Sequence, residues 1–306
     1  MTATIAPPTG ARPGDPNGVA DGDGARGGAS FARVVARRVG STLLTIAVSL
    51  VVLTAIWLGV LKYFDVSKFV GKGPSDVWDY LFSDTPKIGV RPSTMSAALA
   101  RSQALDGLWK TLGDAGIGFV VGLGFATIVA ALFVLFRPFE FAFMPIAMLL
   151  RSVPLVAMAP VILLIVGHGT GAIAAIGAVV VLFPALVNIV LGLRSASPQA
   201  LDLIRVNGGS ERVALLKVRL PSALPNFFAA VRISVPGAVV GAMLAEWLSG
   251  FDGLGGLLNN YKGVANYTGV WAIVVISVLA SILLYSIAVI LETVVLAKWG
   301  PDAGKR

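Results

Sequence analysis

The chain has 306 residues, 56% of them hydrophobic and only 13% charged, with a mean hydropathy of +0.85. A water-soluble domain carries about a quarter charged residues, so this composition excludes an ordinary soluble enzyme or binding module and makes lipid the solvent of a multi-pass, all-α protein. With no cysteine and a single histidine, His168, disulfides, thiol chemistry and multi-histidine metal sites are excluded, and the net charge of +8 lacks the aromatic-interleaved basic runs of a nucleic-acid surface, fitting instead basic inner loops facing anionic lipid.

Residues 1–32 are rich in Gly, Pro, Ala and Asp. They cannot bury enough apolar surface to offset their ordering entropy and are predicted as a disordered cytoplasmic tail. Arg33, Arg37 and Arg38 then flank an apolar run over residues 41–64, so 33–64 reads as the first transmembrane helix with its basic flank. The run is too long, and too far from the start, for a signal-peptide core. Residues 65–107 are mixed and read as an outer interfacial segment. "GPSDVWDYLFSD" and "PSTMSAALARSQALDGLWKTL" predict short amphipathic helices, with Trp78, Tyr80 and Trp109 at headgroup level.

Five more apolar helices are predicted at about 108–136, 139–166, 171–193, 223–248 and 269–297, six spans in all. Residues 299–306 form a short tail. An even number of spans returns the C-terminus to the side of the N-terminus, and the basic residues put both in the cytoplasm: Arg137, Arg194, Arg205, Arg212, Lys217, Arg219, Lys298, Lys305 and Arg306 fall on inner segments. The first outer segment goes against this pattern, with Lys62, Lys68, Lys72, Lys87, Arg91, Arg101 and Lys110.

Within the second span, Gly118 and Gly122 form a small-xxx-small pair that lets another helix approach closely. The third span holds Pro145, Pro154 and Pro160 and is predicted to bend. A broken helix at membrane depth lines a cavity or packs on protein, which makes this span the first candidate for a pathway wall. Arg151 lies near its middle, where a charge faces a cavity or a partner. It attracts an anionic solute, or makes a structural ion pair or a contact with backbone carbonyls. Pro154 and Met158 share its stretch of chain, Met158 serving as core filler or path lining. Asn188 in the fourth span and Glu246 near the outer end of the fifth either line the path or join helices by hydrogen bonds.

The segment between the fourth and fifth spans, residues 194–222, encodes two short helices. Ser197 is placed to cap the first, with Pro198 at its first position and Asp202 in its early turns. Gly208 and Gly209 stop it. Ser210 is placed to cap the second, which is predicted to run through Val218 before Leu220 and Pro221. Such a helix–turn–helix is a rigid knob that fits a socket on another protein.

This segment resembles the cytoplasmic signature of ABC importer permeases: Glu-Ala-Ala, three residues, Gly, nine residues, Ile, one residue, Leu-Pro. Asp202-Leu203-Ile204 stands at the Glu-Ala-Ala place, Gly208 at the glycine, and Val218-Arg219-Leu220-Pro221 at the Ile-x-Leu-Pro place, with the nine-residue spacing kept. The likeness extends over about 40–300 and is nearest the sulfonate, taurine and nitrate branch, through "LLRSVPLVAMAPVILLIVGHG", "FPALVNIVLGLRSASPQAL", "LPSALPNFFAAVRISVPGAVVGAMLAEWL" and "GLGGLL". After "TL" at the start of the second span that branch usually has a basic residue, and here Asp114 stands nearby.

The resemblance implies a permease core over 108–298 with a coupling loop at 194–222. A cytoplasmic coupling helix would present Asp202, Leu203, Ile204, Gly208, Gly209, Val218, Leu220 and Pro221 to a separate ATP-binding cassette ATPase. Its partners would be that ATPase, an extracytoplasmic solute-binding protein and a second permease copy in a homodimer. The complex would sit in the bacterial inner membrane and import a small anionic solute of the sulfonate, taurine or nitrate kind. The chain itself carries no cofactor on this reading, ATP being bound by the partner, and G-x-x-x-x-G-K-[ST] is absent from the sequence. The rival reading is a secondary transporter driven by an ion gradient, which would show an internal repeat with interrupted helices. An intramembrane enzyme would need a nucleophile–base pair or metal ligands within the spans.

Overall fold

The computed structural model describes residues 23–250 and 252–299. Helices α1 (Asp23–Tyr63), α2 (Pro74–Phe82), α3 (Ala97–Leu135), α4 (Arg137–Ser152), α5 (Leu155–Val166), α6 (Thr170–Arg194), α7 (Pro198–Val206) and α8 (Glu211–Ala214) lead into a π-helical turn, Leu215–Arg219. Helices α9 (Leu220–Ser249), α10 (Leu254–Gly263) and α11 (Tyr267–Trp299) follow. No strand occurs among the described residues. Five helical stretches are long and apolar enough to cross a membrane, and α4 with α5 makes a sixth if the pair, bent by 107°, counts as one span.

Three helices, α3, α6 and α9, make the centre, and small residues decide how. Gly177 on α6 lies under Gly118 of α3 and Gly241 of α9. A Cβ on Gly118 would come within 2.9 Å of the Gly177 Cα, and one on Gly241 within 3.1 Å. A Cβ on Gly122 would meet the Ala178 carbonyl at 2.7 Å. The predicted small-xxx-small pair is therefore a backbone-to-backbone contact, the geometry that gives dispersion and weak C–H···O bonding most scope in lipid. Away from this crossing the space widens, and Phe133, Leu186, Ile189 and Leu193 fill it. α3 and α6 run parallel: Gly118 meets Gly177, Gly122 meets Ala178 and Val181, and Phe133 shares a cluster with Ile189 and Leu193. α9 runs antiparallel to α6, with Gly192 against Ala223 and Gly177 against Gly241.

A second cluster stands at the other end. Val77, Tyr80 and Leu81 of α2 pack on Val90, Ala100 and Ala272, with Trp57 and Trp271 stacked alongside at 5.0 Å. Arg91 donates to the carbonyls of Tyr80 and Ser83, both at 2.9 Å, and Arg101 to that of Leu81 at 2.8 Å. Two arginines thus take up the free carbonyls at the C-terminus of α2, where the helix dipole favours them. Lys72 donates to Gly89 O at 3.2 Å, Lys87 pairs with Asp79 at 3.6 Å, and Lys110 with Asp114 at 2.9 Å. These contacts account for five of the basic residues of a segment predicted to lie outside: Lys72, Lys87, Arg91, Arg101 and Lys110 are occupied in folding it. Asn266 donates to the Tyr80 hydroxyl at 2.9 Å, and Tyr261 to Gln103 at 2.9 Å. Burial pushes both tyrosine hydroxyls above their ordinary value, so they stay neutral donors.

Several boundaries differ from expectation. The helix predicted over 92–112 is the first part of α3, which starts at Ala97 on a Ser96 cap that accepts from Leu99 N at 3.1 Å. Ala, Leu, Arg and Gln run into the apolar stretch with no proline between. α1 takes in residues 23–32, placed in the tail by the sequence reading. The rest of the predicted N-terminal tail, 1–22, and the C-terminal residues 300–306 lie outside the described residues. The third predicted span is two helices. Val153 is extended, as a residue before proline prefers, and Pro154 becomes the cap of α5, while Pro145 and Pro160 remain inside helices.

Candidate functional site

The elbow between α6 and α9 is built from its turn. The Gly208 N–H donates to Arg205 O at 2.9 Å and the Gly209 N–H to Ile204 O at 2.8 Å. This pair of bonds is the Schellman arrangement, which needs a left-handed residue at the first glycine, and Gly208 has φ +74°. Gly209 is required for space, since a Cβ there would lie 2.5 Å from Ile204 Cγ2. Pro198 occupies the first turn of α7 as expected. Ser197 and Ser210 precede their helices, but neither side chain caps: Ser197 Oγ lies 2.7 Å from Gln199 Oε1 instead.

Charges lock the elbow. Arg205 pairs with Glu211 at 3.0 Å across the turn and with Asp202 at 3.4 Å along α7. Arg219 lies 3.9 Å from Glu211 and donates to Leu193 O at 3.2 Å, tying the elbow to the end of α6. Exposed pairs of this kind contribute little singly, and more as a network. On the outside of the elbow Leu203 is 65% exposed and Val206 86%, one turn apart on α7. Ile204 is half-buried against the turn. The elbow thus presents an apolar ridge framed by Asp202, Arg205 and Glu211, the composition of a docking knob.

Past the turn the structure departs from the reading. The second helix does not end before Pro221. α8, the π turn and α9 form one continuous helix, Glu211–Ser249. Pro221 has no N–H and its ring crowds the carbonyl four residues back. The wider turn at Leu215–Arg219, in which Leu220 N donates to Leu215 O, absorbs the proline without a stop. Val218, Leu220 and Pro221 are therefore the root of a span, with Leu220 and Pro221 exposed.

At the bend between α4 and α5, Arg151, Pro154, Leu155 and Met158 line a cavity of about 370 Å³ whose far wall is Val179, Val180, Phe183 and Pro184 of α6. Arg151 is exposed and, among the described residues, has no hydrogen-bond or ion-pair partner. Of the five sequence-predicted path residues, Arg151, Pro154 and Met158 come together here. Asn188 lies a turn beyond Pro184 and its side-chain amide donates to that residue's carbonyl at 2.8 Å.

Glu246 is elsewhere and does something else. It is 0% exposed. One carboxylate oxygen accepts from Thr111 Oγ1 and from Gly255 N, both at 2.9 Å, and Thr111 Oγ1 accepts in turn from Leu254 N at 2.8 Å. Glu246 ties α3, α9 and the start of α10 together and lines none of the cavities described here. Of the two roles the sequence left open for it, these bonds favour joining helices over lining the path. Its partner Thr111, together with Glu211 and Arg219 at the elbow and Phe183 and Pro184 at the bend, escaped the sequence reading. An i,i+6 charge pair across two glycines was the available signal for Arg205 and Glu211.

Residues 120–296 match the family described as "Binding-protein-dependent transport system inner membrane component". The chain is 32% identical over 58% of its length, and 74% of the other protein, to a "Probable ABC transporter permease protein" of Haemophilus influenzae. It is 29% identical, over 71% of itself and 85% of the other, to the "Formylaminopyrimidine transport permease protein ThiX" of Halalkalibacterium halodurans. It is 27% identical, over 60% and 67%, to the "Putative aliphatic sulfonates transport permease protein SsuC" of Bacillus subtilis. Among solved structures, "Crystal structure of an amino acid ABC transporter with histidines" aligns with TM-score 0.51 at 17% identity, over 63% of this chain and 94% of that one, a likeness of fold.

Proposed function

The chain belongs to the family of binding-protein-dependent transport system inner membrane components, and from that premise we propose that two copies of it form the transmembrane pathway of an ATP-driven importer. The α7 elbow is the coupling element. Leu203 and Val206 enter a groove on a separate ATPase, and Asp202, Arg205 and Glu211 frame the contact. The observation that carries this reading is the glycine-locked turn at Gly208, standing at the family spacing before Val218-Arg219-Leu220-Pro221. An extracytoplasmic binding protein delivers the solute. The elbow and both termini are cytoplasmic and the chain crosses six times, with α4 and α5 as one broken span.

The path is assigned to the cavity at the bend, with Arg151, Pro154 and Met158, and Asn188 deeper along α6. An unpaired guanidinium there favours a small anionic solute such as a sulfonate. A second substrate class has support in the apolar far wall and its Phe183: a heteroaromatic solute, as in the formylaminopyrimidine and riboflavin named for two relatives, the second 30% identical over 53% of this chain.

Two experiments test these assignments. Tagged chain purified from detergent-solubilised membranes is expected to bring down an ATPase in stoichiometric amount; its absence from an intact preparation removes the coupling role from α7. Arg151→Ala is expected to lower uptake of an anionic solute about tenfold while the ATPase still assembles. Unchanged uptake of the anion, with loss of a heteroaromatic solute on Phe183→Ala, selects the second class.

A further inference from the structure

A second set of cations lies beside the elbow and shares with it only Arg219. Where α3 gives way to α4, a cavity of about 440 Å³ is lined by Phe133, Val134, Arg137, Phe141, Arg194 and Arg219. Three guanidinium groups surround it and no carboxylate lines it. Two are fixed in place: Arg194 by an ion pair with Glu140, and Arg219, 14% exposed, by its bond to Leu193 O at 3.2 Å. The Nε of Arg219 is buried without a partner. Arg137 is exposed and unpaired among the described residues.

Glu140 and Glu211 offset two of these charges, which leaves the Arg137 guanidinium and the Arg219 Nε to be met, and a buried donor left unmade is costly. Arg137 also opens α4, a 16-residue helix. Guanidinium forks match the geometry of phosphate oxygens. The setting narrows the source. The cavity lies where the apolar stretches of α3 and α6 stop, at headgroup depth for a membrane-spanning chain. Phe141 is 78% exposed, and α4 buries none of its side chains, so an apolar track for an acyl chain leads away from the arginines. Basic pockets between spans on the cytoplasmic side are suited to anionic headgroups.

We propose that Arg137, Arg194 and Arg219 form a site for a phosphate-bearing anion, filled in the membrane by the headgroup of an anionic phospholipid. The site adjoins the elbow through Arg219, so an occupant bears directly on the residue that ties the elbow to α6. The proposal rests on the membrane setting and not on ATPase docking, which the co-purification above tests separately.

Native mass spectrometry of the purified full chain, titrated with phosphatidylglycerol, phosphatidylcholine or inorganic phosphate, reads the site directly. Phosphatidylglycerol is expected to bind at least about tenfold more tightly than phosphatidylcholine, and Arg137→Gln to remove about tenfold of that affinity. Arg137→Lys is expected to keep most of it. Binding of inorganic phosphate that is lost in Arg137→Gln, without lipid selectivity, sustains the anion site and assigns it a soluble occupant. Wild-type binding of every probe by both Arg137→Gln and Arg194→Gln overturns the proposal. If Arg194→Gln fails to give a monodisperse protein because Glu140 loses its partner, Arg137→Gln decides alone.

Discussion

At Gly208 two properties separate cleanly. Its φ of +74° strains any other L-residue, yet the space around its Cβ is open. Gly208→Ala therefore carries only the backbone penalty, about 1–2 kcal/mol on the elbow, and should leave most uptake intact. Gly208→Trp adds an indole on the proposed docking face. It is expected to cut uptake at least tenfold while the ATPase of the assembled complex still hydrolyses ATP. Transport and hydrolysis measured together in proteoliposomes check this; wild-type uptake in the Trp variant would remove the glycine turn from the coupling surface. Glu246 makes the opposite case, a charged residue whose role is to hold a turn. Glu246→Ala strands the Thr111 hydroxyl and Gly255 N–H and should cost about 2–3 kcal/mol of stability. Glu246→Gln keeps an acceptor and should cost less, as thermal unfolding in detergent would show. The sequence made this carboxylate visible as a buried polar group but could not locate its partners, because Thr111 lies 135 residues away.

Among the elements, the apolar stretches of α3, α6, α9 and α11 were legible, because lipid imposes one length and one polarity on every span. What defeated the reading was the dependence of a proline's effect on its surroundings: a bend was expected at Pro154 and a stop before Pro221. Pro154 breaks the chain because the residue before it is free to extend. Pro221 does not, because the π turn ahead of it frees the carbonyl it would strike. Nor does a list of apolar segments reveal that Gly177 is the shared contact of two neighbours. Gly177→Leu should separate α6 from α3 and α9 at once and prevent stable folding, whereas Gly124→Leu, where a Cβ meets nothing, should be tolerated. Yield of monodisperse protein distinguishes the two. Equal yields would mean that the central crossing is not set by close backbone approach.

For the whole molecule, the direction of the helices carries a consequence for topology. α3 and α6 lie parallel, so if both are spans they cross in the same sense. The chain between them must then return to its starting side, which requires α4 and α5 together to cross despite their 107° bend. Were the pair a re-entrant loop, α6 would run antiparallel to α3 and the α7 elbow would emerge on the opposite face, out of reach of a cytoplasmic ATPase. Six crossings and a cytoplasmic elbow are thus one proposal and stand together. The absence of cysteine makes them testable without removing any native thiol. Single substitutions Pro138→Cys, Thr170→Cys, Val206→Cys and Lys262→Cys occupy exposed positions on successive connections. A membrane-impermeant maleimide added to intact cells is expected to label Thr170→Cys and Lys262→Cys, and to reach Pro138→Cys and Val206→Cys only in inside-out vesicles. Labelling of Pro138→Cys and Thr170→Cys from the same side would make α4 and α5 a re-entrant loop, and would exclude both the parallel packing of α3 with α6 and the docking role of Leu203 and Val206.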